Sequence, residues 1–230
     1  MFSTNHAKVQ VALSQAMNTT ITLTAITPEE DALFIYSCDG NLAELQGLLK
    51  TPAMISIASK CPKGETDVSI HGRSNLYLML LLAARAGRAA IIELLLDFAS
   101  NHSVSVDDLV DKCLIIATID SNNIEVFQKF VDVVPACINQ DLGMNGDPLN
   151  QAVWRTTWEL STQQQTIDLA SFLLKNGADP NSVGGNAGGG GGGPSDCHLT
   201  GACHSAPLEL IELLIQHGAR SCRTALFRWQ

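Results

Sequence analysis

The stretch CHLTGACH, Cys197 to His204, gathers two cysteines and two histidines, the donor types that hold zinc. On a helix, positions six apart point to different faces, so the two Cys-His pairs turn away from each other. Structural zinc sites pair a tight set of ligands with a second, distant set, which is missing here. No metal and no cofactor is therefore expected, and a metal-dependent protein using this cluster stands only as an alternative. Other chemistry is equally sparse. There is no nucleophile elbow, no HExxH, no Walker loop and no carboxylate pair on a predicted pocket, so the chain reads as having no catalytic residues. The six glycines Gly188 to Gly193 follow a helix end and an ADPN turn instead of a strand. They lack both a lysine and the G-x-G-x-x-G spacing of a phosphate loop.

Two tryptophans stand out. Trp154 and Trp158 are four apart, on one face if their helix runs on through RTTWELSTQ. Tryptophan is enriched among the residues that dominate protein interfaces. The competing reading folds the extension back, so that the indoles cover the neighbouring segment.

The elements that must position these residues are helices. Of 230 residues, 46% are apolar, 16% charged and only 5% aromatic, with Leu, Ile and Ala abundant. That balance suits packed helices better than a sheet sandwich. The net charge is −9 and no cluster of Lys or Arg occurs, which argues against nucleic acid as a partner. The longest apolar run, Leu76 to Ala84, is roughly half of a bilayer span, so no membrane is expected. The N-terminus has neither the basic start nor the apolar stretch of a signal peptide. Seven scattered cysteines, an odd number, read as reduced thiols in an intracellular setting, cytoplasmic or nuclear.

Self-similarity supplies the organisation. Five segments share a short helix rich in small residues, a polar break and a second amphipathic helix. Their first helices begin at Leu33, Leu80, Leu114, Leu149 and Leu199, at spacings of 47, 34, 35 and 50. Two spacings lie near a 33-residue period and two carry an insertion. The stretches FLLKNGADPNS (Phe172 to Ser182), DPLNQAV (Asp147 to Val153), LLLAARAGRAAIIELLL and LIELLIQHGAR match a known pattern. In these the chain resembles the ankyrin repeat, whose units open T-P-L-H-x-A-A and close L-L-L-x-x-G-A-D-x-N.

The resemblance implies an all-α ankyrin-repeat solenoid of about five helix-turn-helix units with hairpin loops and two insertions. Residues 1–26 read as an N-terminal extension and 27–220 as the repeat domain. Its units fall near 31–50, 76–100, 111–134, 147–181 and 197–220, with a Gly-rich loop at 182–196. Residues 221–230 look like the start of an incomplete further repeat. Ala83, Ala84, Ala152, Ala202 and Cys203 let first helices approach closely, while Leu94, Leu95, Leu173, Leu174, Leu213 and Leu214 give second helices an apolar face. No single helix pair buries that face alone, so stacked copies share a core. Gly87 and Gly177 fit tight helix ends, and TPEE makes Thr27 an N-cap with Glu30 closing a capping box. Leu81, Ile115, Asn150 and Thr200 replace the family's histidine, predicting a thinner network between loops.

Ankyrin repeats bind partners through the concave face of the first helices and the hairpin tips, without chemistry. By position, the tips offer His71, Arg73, Asp141, Met144 and Asn145, and the concave face Asp39, Arg85, Arg88 and His204. The leading expectation is a protein-binding scaffold or adaptor whose partner is an unidentified protein. The alternative is a targeting module within a larger enzyme or regulator. The unfinished last unit, RTALFRWQ, leaves an apolar end open to self-association or to a covering partner.

Overall fold

Thr27, Pro28 and Glu30 open a helix through reciprocal side-chain to backbone hydrogen bonds in the computed structural model. The Thr27 amide donates to Glu30 Oε2 at 2.8 Å, and the Glu30 amide donates to Thr27 Oγ1 at 3.2 Å. Two N-terminal donors that a helix leaves orphaned are thereby satisfied. The structure describes residues 4–17, 26–61, 72–143, 146–157, 162–182, 198–199, 202 and 206–220, and among these every regular element is helical. They belong to two compact units, 1–134 and 135–230.

The first unit contains α1 (Thr4–Met17), α2 (Pro28–Asp39), α3 (Leu42–Leu48), α4 (Pro52–Ala58) and α5 (Asn75–Arg85). It continues with α6 (Ala89–Asn101), α7 (Val106–Leu109), α8 (Lys112–Asp120) and α9 (Ile124–Val133). Helices α2 and α3, α5 and α6, and α8 and α9 form three successive pairs. First helices α2, α5 and α8 lie side by side, and second helices α3, α6 and α9 do the same. The apolar spacing of α9 explains its place: Val126, Phe127, Phe130 and Val131 bury one face at helical intervals. Gly87 ends α5 with φ of +70°, a backbone conformation that a Cβ disfavours. The described part of the insertion between the first two pairs includes a helix. Pro52 starts α4, and Met54 and Ala58, one turn apart, are buried as that helix packs on α2 and α5.

Residues 4–17, within the N-terminal extension, are helical. They form α1, which packs on α2, α5 and α8, the first helices of all three pairs. Helix α5 is thus surrounded by α1, α2, α4, α6 and α8. Every side chain from Leu76 to Ala84 is at most 1% exposed. A helix apolar on all sides must be covered on all sides, and α1 supplies the covering that a two-layer repeat lacks.

The second unit contains a 3₁₀ turn (Pro135–Asn139), α10 (Pro148–Thr157), α11 (Gln163–Lys175) and α12 (Leu208–Gln216). His198, Leu199 and Ala202 are also helical. Helix α10 packs on α11 and on the 3₁₀ turn, and α11 packs on α12. Thr162 and Gln165 form a second capping box, at the start of α11. Leu169, Ala170, Leu173 and Leu174 bury the α11 face, and Gly177 turns the chain with φ of +92°.

Candidate binding surfaces

The N-terminal turns of successive first helices are joined by polar side chains. Glu30, 2% exposed, caps α2 with one oxygen and accepts from Asn75 Nδ2 with the other, at 3.2 Å. Between α5 and α8, Asp111 is the shared acceptor. Arg73 reaches it at 2.6 Å, the Tyr77 hydroxyl donates to it at 3.0 Å, and the Leu114 amide donates at 3.1 Å. The Arg73 guanidinium also lies over the Tyr77 ring, 4.5 Å from its centroid. Burial, reinforced by the Asp111 charge, pushes the Tyr77 phenol far above its usual range. Adjacent loops are therefore linked although the family's histidine is absent at these positions. Different residue types at neighbouring positions do the bridging.

In the second unit the bridge is a histidine after all. His198, 1% exposed, places Nε2 3.0 Å from Asp147 Oδ1 and Nδ1 3.1 Å from the Pro180 carbonyl. An imidazole donates to two acceptors at once only when both nitrogens carry protons. Ser182 Oγ donates to Asp147 Oδ2, and the Asn150 amide donates to Oδ1 at 2.7 Å. Burial alone would raise the Asp147 carboxyl, but the hydrogen bond and charge of His198, with Ser182 and the Asn150 amide, hold it below its usual value. The trio contains serine, histidine and aspartate, yet its connectivity differs from that of a nucleophile relay. Ser182 donates a hydrogen bond to the carboxylate, Asp147 and Ser182 (at 3.5 Å) both meet the ring at Nε2, and Nδ1 faces a carbonyl. The arrangement locks loops together.

Two asparagines repeat one clamp. Asn139 donates to the Gly177 carbonyl at 3.0 Å and accepts from the Asp179 amide at 3.0 Å. Asn181 does the same to Gly218 and Arg220, at 3.0 and 2.8 Å. Each side chain satisfies both a carbonyl and an amide of the following turn.

The expected binding residues fall into distinct settings. Asp39, at the end of α2, pairs with Lys8 of α1 at 2.5 Å, and that hydrogen bond raises the Lys8 ammonium. Arg88 donates from Nε to the Cys38 carbonyl at 3.1 Å, and its stem lies against Gly40. Arg85 bridges to Asp120 at 2.6 Å, tying α5 to α8. Asp141 is exposed and accepts from the Gly143 amide at 2.8 Å. Trp154 is half-buried on α10. His71, Met144, Asn145, Trp158 and His204 lie outside the described residues, as do Cys197, Cys203, the glycine run and residues 221–230. Among the described residues no group of three His, Cys, Asp or Glu is placed to hold a metal ion. No helix among them is long and apolar enough to cross a membrane. Burial pushes the thiols of Cys38 and Cys113 up, and that of Cys137 to about 12, which makes them poor nucleophiles.

The contact that residue-level reasoning missed is α1 on the first-helix face. Val9 and Leu13, one turn apart, are 1% and 0% exposed, while Val11 between them is 55% exposed. Burying two aliphatic side chains contributes about 3–6 kcal/mol. The Lys8–Asp39 pair adds little, since both partners are largely solvated. A signal was present in the sequence: the run Leu76 to Ala84 is apolar on every face, more than one neighbouring layer can use.

No protein-family model matches the chain, and no curated protein is similar to it in sequence. Among solved structures, the crystal structure of the human ASB11 ankyrin repeat domain is similar, with a TM-score of 0.56 at 18% identity. The match covers 96% of this chain and 86% of that one. At that identity the likeness is one of fold, and the fold is that of an ankyrin-repeat domain.

Proposed function

We propose that this chain is a non-catalytic protein-binding scaffold, recognising its partner through first-helix faces and hairpin tips. The observation that carries this reading is that the first-helix face of α2, α5 and α8 already accepts a helix, α1, through apolar contact edged by an ion pair. Asp39 and Arg88 border that face in the first unit. In the second unit the reading assigns recognition to Trp154, Trp158 and Asp141. Membership of a larger protein as a targeting module, and an intracellular site of action, are compatible with the same surface. Affinity capture with the full chain, followed by partner identification, tests it. Asp39→Lys and the double variant Trp154→Ala/Trp158→Ala are expected to deplete specific partners while leaving the helical circular dichroism intact. Equal recovery of every partner by both variants would sink the scaffold reading.

A second reading concerns self-association. Leu208 and Ile215 on α12 are 64% and 55% exposed, and their spacing of seven puts them on one face. On this reading the wild type sediments as a concentration-dependent oligomer and Leu208→Glu/Ile215→Glu as a monomer. Identical sedimentation of the two would remove α12 as the contact.

A further inference from the structure

We propose that α1 is a displaceable ligand carried in cis on the first-helix face, and that the external partner of this face is a short basic amphipathic helix. This deepens the scaffold reading and rests on it.

The partner's chemistry is read from α1. Lys8 is followed by Val9 and, one turn on, Leu13, so the seated pattern is a cation, an aliphatic at the next position and a second aliphatic four residues later. The cation meets Asp39 at the end of α2, and the two aliphatic side chains close over the first helices. What surrounds this contact favours exchange. Among the described side chains of α1, Val9 and Leu13 are the hydrophobic ones in the core, and the ion pair is more than a third solvent-exposed on each side, at 53% and 34%. Helices of this length are marginal in water, so α1 owes its helicity to docking, and an incoming helix replaces like with like. When α1 leaves, part of the apolar run Leu76 to Ala84 of α5 is uncovered, and that surface is what an incoming helix takes up. A competitor must therefore offer an apolar stripe, and the carboxylate of Asp39 selects one flanked by Lys or Arg.

The test uses the full chain with a protease site introduced between Met17 and Ile26. After cleavage, α1 is expected to separate on dilution and gel filtration while the remainder keeps its helical circular dichroism. A fluorescein-labelled peptide of residues 4–17 should then bind the remainder saturably, and bind the uncleaved chain far more weakly because the face is occupied. Leu13→Ala in the peptide should weaken binding by about thirtyfold or more. Lys8→Ala should weaken it by up to about fivefold, and Lys8→Arg should restore it. Collapse of the helical signal when α1 leaves would overturn the proposal, because α1 would then be part of the core. Equal binding by the wild-type and Leu13→Ala peptides would overturn it as well. Concentration-dependent dimers that exchange α1 between copies would assign the face to a second copy of this chain instead. If the peptide arms fail while Trp154→Ala/Trp158→Ala still changes partner capture, the scaffold reading stands without this inference.

Discussion

Asp147 sits where burial and hydrogen bonding pull its carboxyl in opposite directions, and hydrogen bonding wins. A carboxyl whose folded-state value lies below its unfolded value stabilises the fold above that unfolded value, here near 3.8. The contribution disappears as pH falls through the depressed folded value. Asp147→Asn is therefore expected to lose about 1–3 kcal/mol at neutral pH and to flatten the acid limb below about pH 4. Urea titrations across that range measure both. Asn181 is a milder case, since its two backbone bonds are exposed to solvent. Asn181→Ala should cost about 1–2 kcal/mol, seen as a lower urea midpoint with an unchanged slope. His198 was hard to foresee because its partner is 51 positions away in the chain. The histidine looked for at Thr200 stands two residues earlier, at a position where a repeat pattern gives it no special meaning.

Helices differ in how far their own residues announce them. Thr27 to Glu30 wrote the start of α2, and Gly87 and Gly177 wrote the ends of α5 and α11, because caps and left-handed turns depend on neighbours within four positions. Helices α1 and α4 were not legible in the same way. Which of their apolar residues become buried is set by α2 and α5, which lie elsewhere in the chain. The candidate surface shared this fate: Asp39, Arg85 and Arg88 could be placed near the first helices by position, but not their engagement by Lys8, Asp120 and Cys38. Local stability should follow the same division. Hydrogen exchange is expected to be faster in α1 than in α5 by orders of magnitude, since the described side chains of α1 bury Val9 and Leu13 whereas α5 buries every side chain from Leu76 to Ala84. Leu13→Ala should accelerate exchange in α1 and leave the slowest amides of α5 unchanged. Equal protection of the two helices would show that they open together.

Across the whole molecule, spectroscopic reporters are unevenly distributed. The three tryptophans, Trp154, Trp158 and Trp229, all belong to residues 135–230, whereas helices occur in both compact units. Tryptophan fluorescence therefore follows the second unit, and far-ultraviolet circular dichroism follows both. Asp147→Asn is expected to shift the fluorescence transition to lower urea by more than it shifts the ellipticity transition. Coincident shifts would mean that the chain unfolds as one cooperative body. The order of α1 before α5 has a bearing on biosynthesis. During translation α1 leaves the ribosome before α5, so the residues that cover α5 are available when that buried helix emerges. A nascent chain that carries its own shield spends less time with Leu76 to Ala84 open to other chains. Val9→Ser/Leu13→Ser should then lower the soluble yield of refolding most steeply at high protein concentration, where collisions between unshielded chains compete with docking.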